Sequence, residues 1–595
     1  MHKPKRNVVA ELKKLGLSDD LVFAAYSAFG RKAVGEIIRN PYSLVAKYEE
    51  DIDWKALDRF AAKQGFENTG IERLAGGVLY AMRRAAASGH VYYPRIPLLT
   101  DSARILGIED LILIQNGLES LRENGLVIQE QPLDLQEGRG DWIYLMNLHS
   151  AESGIAHYMA LLAHSLSRTH RRKTQEINFE EIEQSLGIHL AEAQREAIRL
   201  SMDDKILVIT GGPGTGKTTI LKATVTLWAK IGKRIKLAAP TGRAAKRLSE
   251  STGREASTIH RLLEYNPEQR TFNRNGYRPL KVDLMVVDEA SMIDTTLMAA
   301  LLEALPPGAH LLLVGDVDQL PSVGPGFVLR DIIRSGLVSV IALSEIFRQR
   351  PGSLISDNAA RINRGESPVL DSGGVEEGQD FFFIRKPDLE STLETVVEMV
   401  TRRIPEQFGF TPMDDIQVLA PMIKGHVGIE NLNIVLQREL NPDKNGVEQF
   451  GYRICPGDKV MQIRNDYDKD VFNGDIGVVT HVKSDPVSVE VDFGDKRTAY
   501  DHRDLSDLTL AYAITIHKSQ GSEYPAVVIP LVTKHFPLLQ RNVLYTAVSR
   551  GRNLVVLVGT ARAMGIAIAN NEIRARYTGL TQRLIQVWEK RRRGN

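Results

Sequence analysis

Short apolar runs, each followed by a turn and then a helical pattern, recur through the middle of the chain: Ile206–Thr210, Ile235–Ala239, Leu284–Val287 and Leu311–Val314. They are too short for buried helices. Their alternation with amphipathic segments predicts a parallel sheet covered by helices on both faces. A second set, Ile416–Ala420, Ala526–Pro530 and Leu554–Val558, predicts a second sheet of the same kind. From roughly Phe450 to Asp504 the pattern changes to short alternating segments (Val460–Arg464, Gly477–Val482, Val487–Phe493), which predict a small β-barrel insertion. The longest apolar stretch, Leu297 to Gly315, contains Glu303, Pro306 and Pro307, and so reads as a helix, a turn and a buried strand, not a membrane span.

The first part of the chain is different. Up to about Ala87 it reads as short amphipathic helices with turns at Gly16, Gly30, Asn40-Pro41 and Gly65. Two helical segments then surround Ile105 to Asn124, followed by strand-like runs at Leu126–Glu130 and Trp142–Leu148. Helices followed by a hairpin predict a winged-helix-like module, with a small helical packing domain as the alternative. Ser165 to Thr174 is polar and basic and reads as a linker. The expected organisation is a helical region 1–87, a winged module 88–164, a linker 165–190, one α/β domain 191–340, a second built from 341–445 and 506–595, and the barrel 446–505.

Composition adds exclusions. Charge is balanced in this chain of 595 residues, with 75 Lys and Arg against 74 Asp and Glu, so nucleic-acid binding has to come from local grooves rather than bulk charge. The single cysteine, Cys455, excludes an intrachain disulfide and a Cys-rich zinc site. No signal-peptide core follows the charged start, so the expectation is a soluble cytoplasmic protein.

The sequence Gly211-Gly212-Pro213-Gly214-Thr215-Gly216-Lys217-Thr218 fits G-x-x-x-x-G-K-[ST], follows a predicted strand and opens a predicted helix. Glycines let backbone N–H groups converge on phosphate oxygens, and the helix N-terminus adds partial positive charge. Lys217 is expected at the β and γ phosphates and Thr218 at Mg²⁺. The apolar run Leu284–Val287 delivers Asp288 and Glu289 at its end. Asp288 suits the Mg²⁺ shell and Glu289 a general base for water. These residues predict an ATP or GTP hydrolase without saying what hydrolysis drives.

The downstream segments resemble superfamily-1 helicases, and within them the RecD-like DNA helicases. The residues that carry the resemblance are Gly211–Thr219, Ala239–Ala245, Val287–Met292, Leu313–Val323, Glu345–Gln349, Ile514–Glu523 and Leu544–Arg552, in this order. The resemblance implies two RecA-like motor domains, an SH3-like barrel insertion, ATP and Mg²⁺ as cofactors, and 5′→3′ movement along single-stranded DNA that separates a 5′-tailed duplex, in DNA repair or recombination. It places Gln194 at the adenine, Gly212, Pro213, Gly214, Thr215, Gly216, Lys217, Thr218 and Thr219 around the phosphates, and Glu523 at the ribose. Gln319 would sense the γ-phosphate, with Arg348 and Arg550 as arginine fingers from the second motor.

Along the DNA strand it places Thr241, Arg243, Thr258, His260, Asn473, Thr515, His517 and Lys518, whose hydroxyls, imidazoles and cations suit sequence-independent contacts. Phe472 could stack on a base or pack in the barrel. An insertion at 264–280, with turn formers at Asn266-Pro267 and Asn275-Gly276, matches the family's β-hairpin pin, though either turn could be the apex. At the N-terminus, Asp51-Ile52-Asp53-Trp54 stands where the family has a glycine-containing hairpin. Two carboxylates would repel phosphate there, so this turn reads as structural. The resemblance implies that the OB-like part of longer members is either lacking or removed, and a monomer is expected. A Upf-type RNA helicase and an ATP-driven DNA clamp without unwinding activity are the alternative functions.

Overall fold

The computed structural model describes residues 6–48, 50–132, 140–165, 177–267, 269–345, 353–370, 379–443, 445–449, 451–466, 468–494, 496–571 and 575–594. The N-terminal helices (Arg6–Lys14, Asp19–Phe29, Ala33–Arg39, Ser43–Lys47, Trp54–Lys63 and Ile71–Ala87) build an apolar core around Leu12, Ile37, Leu57 and Leu74 that continues into Leu98, Ile114, Leu118 and Ile143 of the segment that follows. Asp53 caps the helix that begins at Trp54, its carboxylate accepting from Ala56 N at 3.0 Å. The Trp54 ring is buried and stacks on Tyr80. Asp53 and Trp54 thus serve the helical packing. A buried knot holds the bundle: Arg73 donates twice to Asp58, both at 2.8 Å, and Tyr42 adds a third bond at 2.7 Å.

Two further helices, Arg95–Leu106 and Leu111–Glu123, pack beside a three-stranded antiparallel sheet made by Tyr92–Pro94, Trp142–Leu145 and Val127–Glu130, with Trp142–Leu145 central. The central strand ends three residues before the Leu148 read from sequence. The ladder stops where Leu145 meets Val127, and Met146 opens a helix to Ala163. An apolar run continuing from strand into helix hides that change of period.

The first motor is a six-stranded parallel sheet in the order Ser339–Leu343, Ile206–Gly211, His310–Gly315, Leu284–Val287, Ile235–Ala239, Ala256–Thr258. The second is a five-stranded parallel sheet in the order Phe381–Arg385, Gly551–Gly559, Tyr524–Leu531, Ile416–Ala420, Ala513–Thr515. The four strands not read from sequence (256–258, 339–343, 381–385 and 513–515) are the sheet edges, two of them only three residues long. The insertion forms a five-stranded antiparallel sheet, Arg497–Asp501, Val487–Asp492, Ile476–Ser484, Lys459–Gln462 and Leu508–Leu510, with the hairpin Val447–Gln449/Tyr452–Ile454 alongside. Its last strand runs past residue 505, the boundary expected from sequence.

Two segments fall elsewhere than expected. Among the described residues the insertion 264–280 makes a ladder only between Tyr265–Asn266 and Thr271–Phe272, so the hairpin reverses after Asn266 and not at Asn275. Asn275 instead folds a return turn, its side chain accepting from Tyr277 N and Arg278 N, and Leu280 N is bonded to Ala304 O. The C-terminal helix Leu580–Gly594, grouped with the second motor by the 506–595 boundary, lies on the first. Leu580, Leu584 and Trp588 enter one core with Ile155 and Met159 of the helix ending at Ala163 and with Met298 and Leu301. No helix among the described residues is long and apolar enough to cross a membrane.

Candidate nucleotide site and nucleic-acid interface

The phosphate loop joins the strand Ile206–Gly211 to the helix Lys217–Lys230. Gly214 and Gly216 have φ of 77° and 80°, a left-handed conformation that only glycine adopts without strain. Lys217 Nζ donates to Gly211 O at 2.6 Å and Gly212 O at 2.7 Å, which folds the ammonium back over the loop. Thr215 Oγ1 donates to Gly212 O, and Thr218 is exposed in the first helical turn.

Asp288 and Glu289 follow the strand Leu284–Val287. Glu289 is one of the few non-glycine residues here with positive φ, 52°, and its N–H donates to Asp288 Oδ1 at 2.9 Å. Backbone strain of this kind collects where a side chain must be aimed. Burial, and then the charge of Glu289, push the Asp288 carboxyl up, while Lys217 pulls it back down. A metal ion would supply far more positive charge than Lys217 does. The hard oxygen donors of Asp288 and Thr218 fit Mg²⁺, which keeps waters and phosphate oxygens on its other positions.

Gln319 and Arg550 meet across the two motors. Arg550 Nη2 donates to Gln319 Oε1 at 2.8 Å, and the guanidinium also binds Ser522 O and Thr546 O. Both residues are buried. Leu320 N donates to Thr546 Oγ1 at 3.0 Å, and Gln520 Nε2 donates to Leu320 O at 2.8 Å. A narrow cleft lined by Pro213 and Gly214 on one side and Ser356, Ser549 and Arg552 on the other puts the phosphate loop against the second motor. Arg348 lies outside the described residues.

Other expected site residues have partners of their own. Gln194 is buried, and its Oε1 accepts from Ala191 N at 3.0 Å. Glu523 bridges two arginines, Arg247 of the first motor and Arg552 of the second, each at 2.9 Å, so the carboxylate expected at the ribose ties the interface in this arrangement. Arg243, expected on the DNA strand, donates to Ser522 Oγ at 2.9 Å and Tyr524 OH at 3.2 Å across the same interface. Arg247 escaped the sequence reading. Its signal was its place one helical turn after Arg243, on the same face.

On the proposed DNA side, Thr241 and Thr258 each cap a helix, accepting from Ala244 N and Arg261 N, and Thr515 Oγ1 accepts from Lys518 N. His260 packs against Tyr265 and Phe272 of the hairpin, and burial lowers its pKa, so it presents a neutral imidazole. Lys518 Nζ donates to Asn473 Oδ1, joining the second motor to the inserted barrel, and His517 is exposed beside it. Phe472 is half-buried between the barrel and the first motor. It lies on Gly242, where a Cβ would come within 3.0 Å of its ring. Arg261 pairs with Asp470 at 3.3 Å, so the barrel loop touches the first motor twice.

Residues 1–92 match the family model of the ATP-dependent RecD2 DNA helicase HHH domain, 194–325 that of an AAA domain, 432–493 that of the ATP-dependent RecD-like DNA helicase SH3 domain, and 510–558 that of the UvrD-like helicase C-terminal domain. The ATP-dependent RecD2 DNA helicase of Deinococcus radiodurans is 32% identical over 98% of this chain and 78% of its own length. The chain belongs to the family of ATP-dependent RecD2 DNA helicases. The RecBCD enzyme subunit RecD of Mycolicibacterium smegmatis is 34% identical over 66% of this chain and 75% of its own. Among solved structures, a Pif1 helicase from Bacteroides in complex with ADP-AlF3 and ssDNA is 22% identical and covers 64% of this chain and 94% of its own, with a TM-score of 0.40. In this RecD2 helicase, then, the phosphate loop faces Ser549 and Arg552 of the second motor across one cleft, Arg550 reaches Gln319 of the first motor, and the inserted barrel reaches over the first motor at Gly242 and Arg261.

Proposed function

We propose that this RecD2 helicase moves 5′→3′ along single-stranded DNA and separates a 5′-tailed duplex. The observation that carries the reading is the Arg550–Gln319 bond of 2.8 Å beside the phosphate loop. A guanidinium that is always charged reaches the nucleotide cleft only when the motors close, so occupancy of the cleft and closure are linked. Lys217 leaves its two carbonyl partners to hold β and γ phosphates. Thr218 and Asp288 hold Mg²⁺, which supplies charge neutralisation when bound. Glu289 orients and deprotonates water, and Gln319, Arg550 and Arg348 face the γ-phosphate. With Gln194 Oε1 engaged, its amide nitrogen is the group left for adenine.

Alternating closure and opening ratchets the strand if the motors exchange their grip on it. Thr241 and Thr258 on the first motor, and Thr515, His517 and Lys518 with Asn473 on the second, supply that grip. The test is strand displacement on matched substrates with a 5′ tail, a 3′ tail and blunt ends, in DNA and RNA. Unwinding restricted to the 5′-tailed DNA is expected. Preference for the 3′ tail overturns the polarity. Equal RNA unwinding supports the Upf-type alternative, and DNA-stimulated ATPase without displacement supports the clamp.

A further inference from the structure

One buried side chain at the motor interface has no part in the roles above. Tyr545 lies on the helix Arg541–Val548 of the second motor and is 3% exposed. Its hydroxyl donates to Asp316 Oδ2 on the first motor at 2.7 Å. The same hydroxyl stands over the phosphate loop, where a Cβ on Gly212 would come within 3.0 Å of it. We propose that Tyr545, acting through Asp316, is a positioning residue that fixes the orientation of the Gln319 amide when the two motors meet.

An ionised carboxylate only accepts, and a guanidinium only donates. Asp316 Oδ2 accepts from Gln319 Nε2 at 2.9 Å as well as from Tyr545, and its Oδ1 accepts from Asp318 N at 3.1 Å. Gln319 therefore has to turn its nitrogen to Asp316 and its oxygen to Arg550. The flipped amide would set carboxylate against carbonyl oxygen and guanidinium against NH₂. Asp316 is 2% exposed, and the oxygens of a carboxylate so buried are satisfied only by donors the protein supplies. Tyr545 is the donor that arrives from the other motor. Burial and the charge of Asp316 push its phenol pKa well up, which keeps the proton in place to be donated. Two of the bonds that cross the interface, Tyr545 to Asp316 and Arg550 to Gln319, are joined into one run by the Asp316–Gln319 bond. When the motors part, Asp316 loses a donor at the moment Gln319 loses Arg550.

The inference rests on reading Gln319 and Arg550 as γ-phosphate groups, so the experiment carries Q319A and R550A beside Y545F. Tyr545→Phe keeps the ring and removes only the hydroxyl. Single-strand-stimulated ATPase is expected to lose about 10-fold or more in kcat, with KM for ATP held within about twofold and Tm unchanged. The double variant Y545F/Q319A is expected to be no slower than Q319A, because both changes break the same run. Unchanged kcat in Y545F, with Q319A and R550A slow, overturns the positioning role alone. Normal kcat in Q319A and R550A overturns the reading beneath it. A loss carried by KM or by Tm, or fully additive losses in the double variant, shows Tyr545 as interface packing and overturns the proposal.

Discussion

Lys217 and Glu289 sit on neighbouring loops but are held in different ways. Lys217 is bound to the carbonyls of its own phosphate loop, whereas Glu289 is aimed by a positive φ and bonded through its backbone to Asp288. Removing them should therefore fail differently. Lys217→Ala takes away a phosphate ligand and is expected to weaken ATP binding and turnover together. Glu289→Gln keeps shape and backbone geometry and removes only the base, so ATP is expected to bind normally while kcat falls by about 100-fold or more. Equilibrium binding of a fluorescent ATP analogue separates the two, and equal loss of binding in both would contradict these roles. At this scale the phosphate loop was legible because glycine spacing and a following lysine have one common use. The partners of Arg243, Glu523 and Phe472 were not. Each makes a contact across the interface with a residue more than 200 positions away in the chain, and no local pattern encodes a contact of that reach.

Among elements, the central strands could be read because both faces are buried and the residues run continuously apolar. The edge strands could not, since one flank is open and three residues carry no period. The hairpin insertion shows the same limit. Two turn signals stood in the sequence, and only the tertiary contacts of 273–280 decide between them. Arg274 and Arg278 pair with Glu264, and Leu280 is bonded to Ala304, so this stretch returns the chain to the sheet, and the hairpin end lies beyond the Asn266–Thr271 pair. A wedge that blocks the second strand needs the tip and not the return. Replacing 267–270 with Gly-Ser, keeping Tyr265 and Phe272 against His260, is expected to leave single-strand-stimulated ATPase within about twofold and to remove most unwinding of a 5′-tailed duplex. Unwinding that survives intact sinks the wedge assignment. Loss of both activities would mean that the tip supports the motor.

Over the whole molecule, the last helix returns to the first motor and joins it to the N-terminal modules. Glu152, fully buried, accepts from Arg583 Nε at 2.9 Å, Gly579 N at 2.9 Å, Thr578 Oγ1 at 3.0 Å and Tyr144 OH at 3.1 Å, and Arg583 also pairs with Glu130. Thr578 Oγ1 turns on to Asp331 Oδ2 at 2.9 Å. One cluster thus links the three-stranded antiparallel sheet, the first motor and the C-terminal tail, and Arg583→Ala, which strands the Glu152 charge, is expected to cost about 3–5 kcal/mol. Asp331 behaves in the opposite sense. Burial raises its carboxyl to about 7, against the pull of Thr578, Arg330 and Arg334 and with the push of Glu152. A raised acid holds more protons folded than unfolded between about pH 4 and 7, so its burial penalises stability progressively as pH climbs through that window and fully above it. Asp331→Asn cannot ionise, and its amide can donate to Thr578 Oγ1, whose single proton goes to Glu152. Its Tm relative to the parent protein is therefore expected to improve between pH 5 and pH 8, by at least about 2 °C. Comparing the two proteins at each pH cancels every other titrating group. A difference that stays flat, or shrinks, would show that Asp331 is ionised in the folded protein throughout and that the cluster at Thr578 is held as an ion network.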